Sequence, residues 1–460
     1  MLRKALIVCS LVSLASCGVV YQGVQDGMTT INGSQLIRQG RYGELSELEL
    51  QWAETAWKYI ENNTNLNTGL VNSIDNYPTL NLSALADYLV ALMAAREFNF
   101  ITSKEHDERL SLVISFLAEM PLGPTGVPNK VYSTSSAKKV DYANQPNDIG
   151  WSSIDIGRLL IVLAMTKQRN PEFSEYIDKA VLRWNFCELV TKDGELFGGD
   201  IQDGRVQRYK EGRLGQEEYT AYGYLDWQVV PEKAMKLEPY EVVTINGIDL
   251  LFDGRDPRYY DVLRPVYSTP YLLLGLEFNW DKVDDTRSSD AEHSNEVLSA
   301  MADSVYRLQE SRWEVDRIYT ARGEHVVTGE PYHVYDSLYA LGTPWITVAE
   351  DGSSHDELAL VSTRVAFQMW VLWKTDYTER LITLVKELYD PERGWYEGRY
   401  ELNSAYEKTI TLQTNAGVME ALLYKANGKL YQPRREREYR DVQFDSRFYH
   451  PGKCLVETFR

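Results

Sequence analysis

The chain has 460 residues, 48 Lys plus Arg against 67 Asp plus Glu, four cysteines, and 44% hydrophobic and 12% aromatic residues. Those proportions exclude a disordered chain, a coiled coil and a disulfide scaffold, and the length buries a sizeable core. A net charge of -19 argues against a nucleic-acid partner, because phosphate binding needs clustered Lys and Arg, and the one basic run, Arg434-Arg435-Glu436-Arg437-Glu438, alternates in sign.

In chain order, Arg3 and Lys4 precede an apolar stretch over residues 5–14, too short to cross a bilayer as a mature helix and suited to the core of a signal peptide. Leu14-Ala15-Ser16-Cys17 then resembles a bacterial lipobox. That implies removal of residues 1–16 and a lipid on the Cys17 thiol; an ordinary signal peptide with a chance cysteine is the alternative. Gly18, rather than Asp, follows that cysteine and favours the outer membrane, so the expected place is the bacterial periplasm with a membrane anchor at Cys17. Losing Arg3 and Lys4 takes the net charge from -19 to -21. Residues 17–42 are rich in Gly, Ser and Gln and read as a flexible tether. With Cys9 removed and Cys17 lipidated, Cys187 and Cys454 remain, either paired in an oxidising compartment or as two separate thiols.

The body, residues 43–430, is a series of helical patterns. Apolar and aromatic residues fall at helical spacing over 45–61. Residues 83–98 are apolar on every face and predict a buried helix, whereas 103–120 are amphipathic with a charged start; 152–168 and 174–187 repeat that pairing. Further helices are predicted over 214–224, 267–278, 291–312, 358–374, 377–388 and 414–427, and strand runs only in short hairpin-like pieces such as 240–249. Buried helices alternating with amphipathic ones predict an all-α fold of two concentric layers, an (α/α)6 toroid with short β-hairpins in its loops. An open helical solenoid would need a sequence repeat, and none is visible. The Gly-containing stretches 68–71, 193–198 and 393–398 read as helix-ending turns, and residues 431–460 as a tail packed on or near the domain.

In such a barrel the loops entering the inner helices converge on one mouth, so residues at those helix starts form the candidate site. Carboxylates, amides, Arg and aromatics gather there, over 141–158, 212–219, 332–336 and 411–415. Asp155 and Arg158, three apart, share one face of an apolar helix, as a site pair or as a buried structural ion pair. Glu217 and Glu218 point about 100° apart on a helix, so one can face the cavity while the other caps the helix or binds Arg213. A carboxyl in an aromatic-lined cavity has its pKa raised, which suits a general acid. Glycoside hydrolysis needs that acid and a second carboxylate as base or nucleophile. Glu217 is the first candidate acid, with Glu218 beside it and Asp155 or Asp336 as partner. Trp151, Tyr219, Tyr335 and Trp395 are candidate sugar-stacking surfaces, although Trp at helix starts is also core material. Arg158, Arg213, Glu397 and Asn415 complete the candidate binding set. The six His are scattered, and no nucleophile elbow, Walker loop, dinucleotide fingerprint or zinc-protease motif is present. Neither metal nor cofactor is expected, which narrows the chemistry to carboxylates.

Five stretches together resemble the bacterial domain-of-unknown-function 3131 family: GWSSIDIGRLL at 150–160, VLRWNFC at 181–187, GRLGQEEY at 212–219, DPERGWYEG at 390–398 and QTNAGVMEALLYK at 413–425. The likeness runs from about residue 45 to residue 430. That family is similar to the six-hairpin, glucoamylase-like glycosidases, so the resemblance implies an (α/α)6 toroid. It also implies a role on glucan-type or other exopolysaccharides, and together with the clustered carboxylates it leads to the expectation of a glycoside hydrolase or transglycosylase acting on a neutral polysaccharide or oligosaccharide, glucan-type first. Where the resemblance leads one to expect Trp-Asp entering the first inner helix, the chain has Ser83-Ala84, with Asp87 one turn later, and Gln413-Thr414-Asn415 replaces Asn-Thr-Asn. The first departure implies altered specificity or a lipoprotein that binds or helps export a glycan without turnover.

Overall fold

The computed structural model describes residues 40–237, 239–255, 263–280, 296–403 and 405–431. The expected signal segment 1–16, Cys17, the expected tether up to residue 39, Cys454 and the tail beyond residue 431 lie outside the described residues. Twelve helices are seen among the described residues: α1 Glu47–Asn63, α2 Leu82–Glu97, α3 Ser103–Glu119, α4 Ser153–Arg169, α5 Ser174–Val181, α6 Phe186–Leu189, α7 Gln216–Leu225, α8 Thr269–Phe278, α9 Glu296–Asp316, α10 Thr363–Leu372, α11 Asp376–Val385 and α12 Leu412–Asn427. Six of them, α2, α4, α7, α8, α10 and α12, are buried along most of their length. Each packs against the next and α12 returns to α2, so the inner ring closes. Helices α1, α3, α5, α9 and α11 carry apolar stripes and surround it, which is the two-layer arrangement that the alternation of buried and amphipathic patterns predicts.

The fold is helix-rich rather than all-α. Six antiparallel sheets are present among the described residues. Short strands lead directly into inner helices: Thr79–Asn81 into α2, Gly150–Trp151 into α4, Leu360–Ser362 into α10 and Tyr406–Ile410 into α12. Their backbone groups cross partly buried ground, where each N–H and C=O must find a partner. Pieces of two to seven residues show too little alternation to be read from sequence. For the same reason two of the expected helix-ending turns are instead the approaches to strands, Phe197–Gln202 and Gly394–Tyr400. The 240–249 piece does form a hairpin, Tyr240–Ile245 with Ile248–Asp253. Cys187 is disulfide-bonded.

The tightest crossing in the ring is between α4 and α7. A Cβ on Gly223 would stand 2.1 Å from the Gly157 carbonyl oxygen, so the two backbones touch. Gly223→Ala is therefore expected to cost about 1–3 kcal/mol through overpacking, measured as a lower denaturation midpoint. An unchanged midpoint would mean that the ring spreads here without cost.

Candidate active site

The six inner helices begin at one end of the ring. Their lead-in segments are hydrogen-bonded side by side: Ser73 with Leu412, Gly150 with Asp200 of the strand that pairs Arg205–Lys210, and Ser268 and Ser362 with the same 321–322 segment. Side-chain caps from Asn81, Ser152, Ser362 and Thr411 start four of these helices. The positive ends of the helix dipoles thus converge on the mouth.

Asp155 lies in the first turn of α4 and is partly exposed there. Burial, reinforced by the nearby Glu211 carboxylate, pushes its pKa up to about 7, against the opposing pull of Lys130 and Arg158. Glu211 follows the strand Arg205–Lys210 and is pinned to the start of α4: it accepts from the N–H of Ser153 at 2.6 Å, the N–H of Ile154 at 3.4 Å and the Ser153 hydroxyl at 2.9 Å. Asp155 is therefore a carboxyl that still holds a proton near neutrality, beside a second carboxylate that cannot swing away.

On the α10 side, opposite α4 in the ring, stands Glu324. Its Oε1 accepts from Arg364 Nη2 at 2.8 Å and from Gln413 Nε2 at 3.0 Å, side chains from the first turns of α10 and α12. Burial pushes its pKa up, but the Arg364 guanidinium outweighs it and holds the carboxyl below its usual value. Glu324 is thus ionised at neutral pH. His333 lies nearby, pushed down to about 4 by burial and hence uncharged.

Beneath the mouth, on the ring axis, each inner helix contributes one polar side chain to a single cluster. Arg158 of α4 donates to Asp87 Oδ1 of α2 at 2.7 Å, to Tyr219 Oη of α7 at 2.5 Å and to Glu277 Oε1 of α8 at 2.8 Å. Tyr219 in turn donates to Glu277 Oε2 at 2.7 Å. Glu420 of α12 lies 3.9 Å from the guanidinium and accepts from Gln368 of α10 at 3.4 Å. Burial, with Glu277 and Asp87 adding to it against Arg158, raises the Glu420 pKa well above the usual carboxylate range. One guanidinium therefore faces three carboxyl groups, and the cluster forms the floor of the mouth.

The expected site residues divide sharply. Glu217 is fully buried away from the mouth, with Oε2 3.2 Å from Arg255 Nη1 and Oε1 3.9 Å from Lys210 Nζ. Glu218 is also buried and accepts from the Gly215 N–H at 2.6 Å, closing the start of α7. The helical turn explains both: with Tyr219 on the ring axis, Glu218 lies about 100° and Glu217 about 160° round the helix from it, so neither shares its inward direction. Asp336 is fully buried, accepting from Thr347 Oγ1 at 2.7 Å and the Leu360 N–H at 2.9 Å, with His325 Nδ1 at 3.2 Å. None of the three is exposed at the mouth. Trp151 and Trp395 are buried, their indole N–H groups donating to Phe197 O at 3.0 Å and Trp52 O at 3.1 Å. Asn415 accepts from the Trp395 N–H at 2.8 Å, and Glu397 accepts from the Thr411 and Thr414 hydroxyls, so both brace the lead-in of α12. Arg158 and Tyr219 belong to the floor. Arg213 and Tyr335 lie together on a wall, the guanidinium 4.6 Å from the ring centre and the phenol donating to Glu350 at 2.8 Å.

The family described as a protein of unknown function, DUF3131, matches residues 51–428. The chain belongs to the DUF3131 family. No curated protein sequence matches it. Among solved structures, this DUF3131 protein is similar to a protein from Bacteroides uniformis assigned as a glucoamylase, at 8% identity and TM-score 0.59, over 84% of this chain and 94% of that one. An endo-β-1,2-glucanase from Chitinophaga pinensis, in complex with sophorotriose and glucose, gives 12% identity and TM-score 0.58 over 84% and 94%. The endo-β-1,2-glucanase from Talaromyces funiculosus with sophorose gives 13% and 0.55 over 84% of each chain. At these identities the likeness establishes the six-hairpin glycosidase type of fold.

In this DUF3131 protein the sequence reading missed Glu211, Glu324 and Lys130. Glu211 carries a signal in retrospect, since it directly precedes the GRLGQEEY stretch; Glu324 and Lys130 carry none, because backbone pairing with segments elsewhere in the chain brings them to the mouth. Glu217→Gln is expected to leave the pH profile of any turnover unchanged while lowering stability by about 3 kcal/mol, the cost of breaking a buried pair. A changed pH midpoint would return Glu217 to the chemistry.

Proposed function

We propose that the protein is a glycoside hydrolase of neutral, glucan-type chains, with Asp155 as proton donor and Glu324 as the second carboxylate. The observation that carries this reading is the placement of two carboxyls at the mouth: Asp155 in the first turn of α4 beside the pinned Glu211, and Glu324 held across the ring by Arg364 and Gln413. Asp155 gives that proton to the glycosidic oxygen as the C1–O bond breaks, and Glu324 takes a proton from the water that attacks C1 from the other face. With Glu324 activating the water rather than attacking C1 itself, the reaction of this reading inverts the anomeric centre.

The charge pairing at the mouth supports a neutral sugar. Lys130 is matched by Asp200 at 2.5 Å, Arg364 by Glu324 at 2.8 Å, Arg213 by Glu350 at 3.5 Å, and Arg158 by the floor carboxylates. A uronic acid would meet no cation lacking a carboxylate among these. The endo-β-1,2-glucanases and the glucoamylase-assigned protein of the same fold make glucans the first substrates to try. The reading includes a periplasmic enzyme held to the membrane through Cys17.

The test is new reducing ends from β-1,2-glucan, β-1,3-glucan and maltooligosaccharides, with the product anomer followed by NMR. Release by wild type and none by Asp155→Asn supports the reading. Glycan binding without release would instead make the protein a binding or export accessory lipoprotein.

A further inference from the structure

One wall of the mouth carries groups that hydrolysis itself does not use. Residues 141–146 form a loop tied back on itself: Asp141 Oδ1 accepts from the N–H of Ala143 at 3.0 Å and of Gln145 at 2.9 Å, and the Asn144 N–H donates to Asp141 O at 3.0 Å. The Tyr77 hydroxyl holds the Tyr142 carbonyl at 2.8 Å. A loop so braced has little conformational entropy left to lose when a ligand arrives. It presents Tyr142, which is 66% exposed. The phenol lies in the field of Asp155, Lys130, Tyr209 and Glu211, which places this exposed ring beside them.

Alongside it, the Lys130 ammonium is fixed between Asp200 Oδ1 at 2.5 Å and the Tyr209 hydroxyl at 3.1 Å, and the Lys130 backbone N–H is bonded to Gly150 O at 2.8 Å. Asp200 remains 41% exposed. An ammonium and a carboxylate held side by side offer a donor and an acceptor to adjacent hydroxyls and add no net charge. An aromatic face beside such a pair matches a pyranose, which is apolar on its C–H face and polar at its rim.

We propose that Tyr142, Lys130, Asp200 and Tyr209 form a hexose subsite adjoining Asp155, with the sugar ring stacked on Tyr142 and two of its hydroxyls on Lys130 and Asp200. This rests on reading Asp155 as the acid, and it makes the bound residue one of the two flanking the cleaved bond.

The experiment is calorimetric titration of Asp155→Asn, which binds without turnover, with β-1,2-gluco-oligosaccharides and with maltooligosaccharides. Adding Tyr142→Ala is expected to weaken binding about tenfold, the scale of one aromatic contact, and Tyr142→Phe, which keeps the ring, to restore it. In the active protein Tyr142→Ala raises KM and leaves the pH midpoint of kcat in place. Equal affinity with and without the Tyr142 ring overturns the subsite and leaves the hydrolase reading standing. Ring-dependent binding with no cleavage by wild type supports the subsite and overturns the hydrolase. No binding of either probe overturns both.

Discussion

Asp155→Asn is expected to lower kcat on a cleavable glucan by about 10²–10⁴-fold, the usual contribution of a positioned general acid. The wild-type rate should fall as pH rises through about 7, because the proton to be donated is then lost. The groups facing Asp155 set that midpoint: burial and the Glu211 and Asp87 carboxylates raise it, Lys130 and Arg158 lower it. The same shift has a stability consequence of definite sign. An unfolded Asp ionises near pH 4, whereas the folded one resists until about 7. Folding is therefore opposed increasingly as pH rises from about 4 to about 7, and fully above that. The Asn variant escapes this opposition. It should match wild type in thermal stability at pH 4 and exceed it at pH 8. A variant that is inactive yet less stable at pH 8 would mean that Asp155 holds the fold rather than the proton.

Arg158→Met should be the most damaging single change in the ring. It leaves Asp87, Glu277 and Glu420 together on the axis without the guanidinium that faces all three. Breaking a buried ionic group in this way costs about 3–5 kcal/mol, read as a collapsed denaturation midpoint. Glu420→Gln is the matched control: its carboxyl is held protonated, so an amide of the same shape should change stability by no more than about 1 kcal/mol. Equal losses in the two variants would show that packing, and not charge balance, sustains the floor.

Much of the helical layering is legible in the chain because burial imprints a local period. Residues 83–98 and 152–168 are apolar on every face, and they become α2 and α4 of the inner ring. Residues 103–120 carry one apolar stripe and become α3 outside it. The strands are not legible, since pieces as short as Gly150–Trp151 owe their extended state to partners distant in sequence, here Gly199 and Asp200.

The site separates along the same line. Spacing alone puts Asp155 and Arg158 on one helix face, and both do point inward from α4. Only ring closure decides that Asp155 opens on the mouth while Arg158, one turn deeper, meets side chains from four of the other five inner helices, with Gln368 of α10 joining through Glu420. The Glu217-Glu218 pair is equally visible in sequence, yet the rotation of α7 about its axis turns both away from the cavity and puts Tyr219 there instead. The acidic, Tyr-rich composition and the alternation of buried with amphipathic helices follow from the chain alone, because both are properties of residues and their immediate neighbours. Which carboxylate keeps a proton was decided by tertiary structure, because a pKa depends on burial and on charges that strand pairing and ring closure bring from far along the chain.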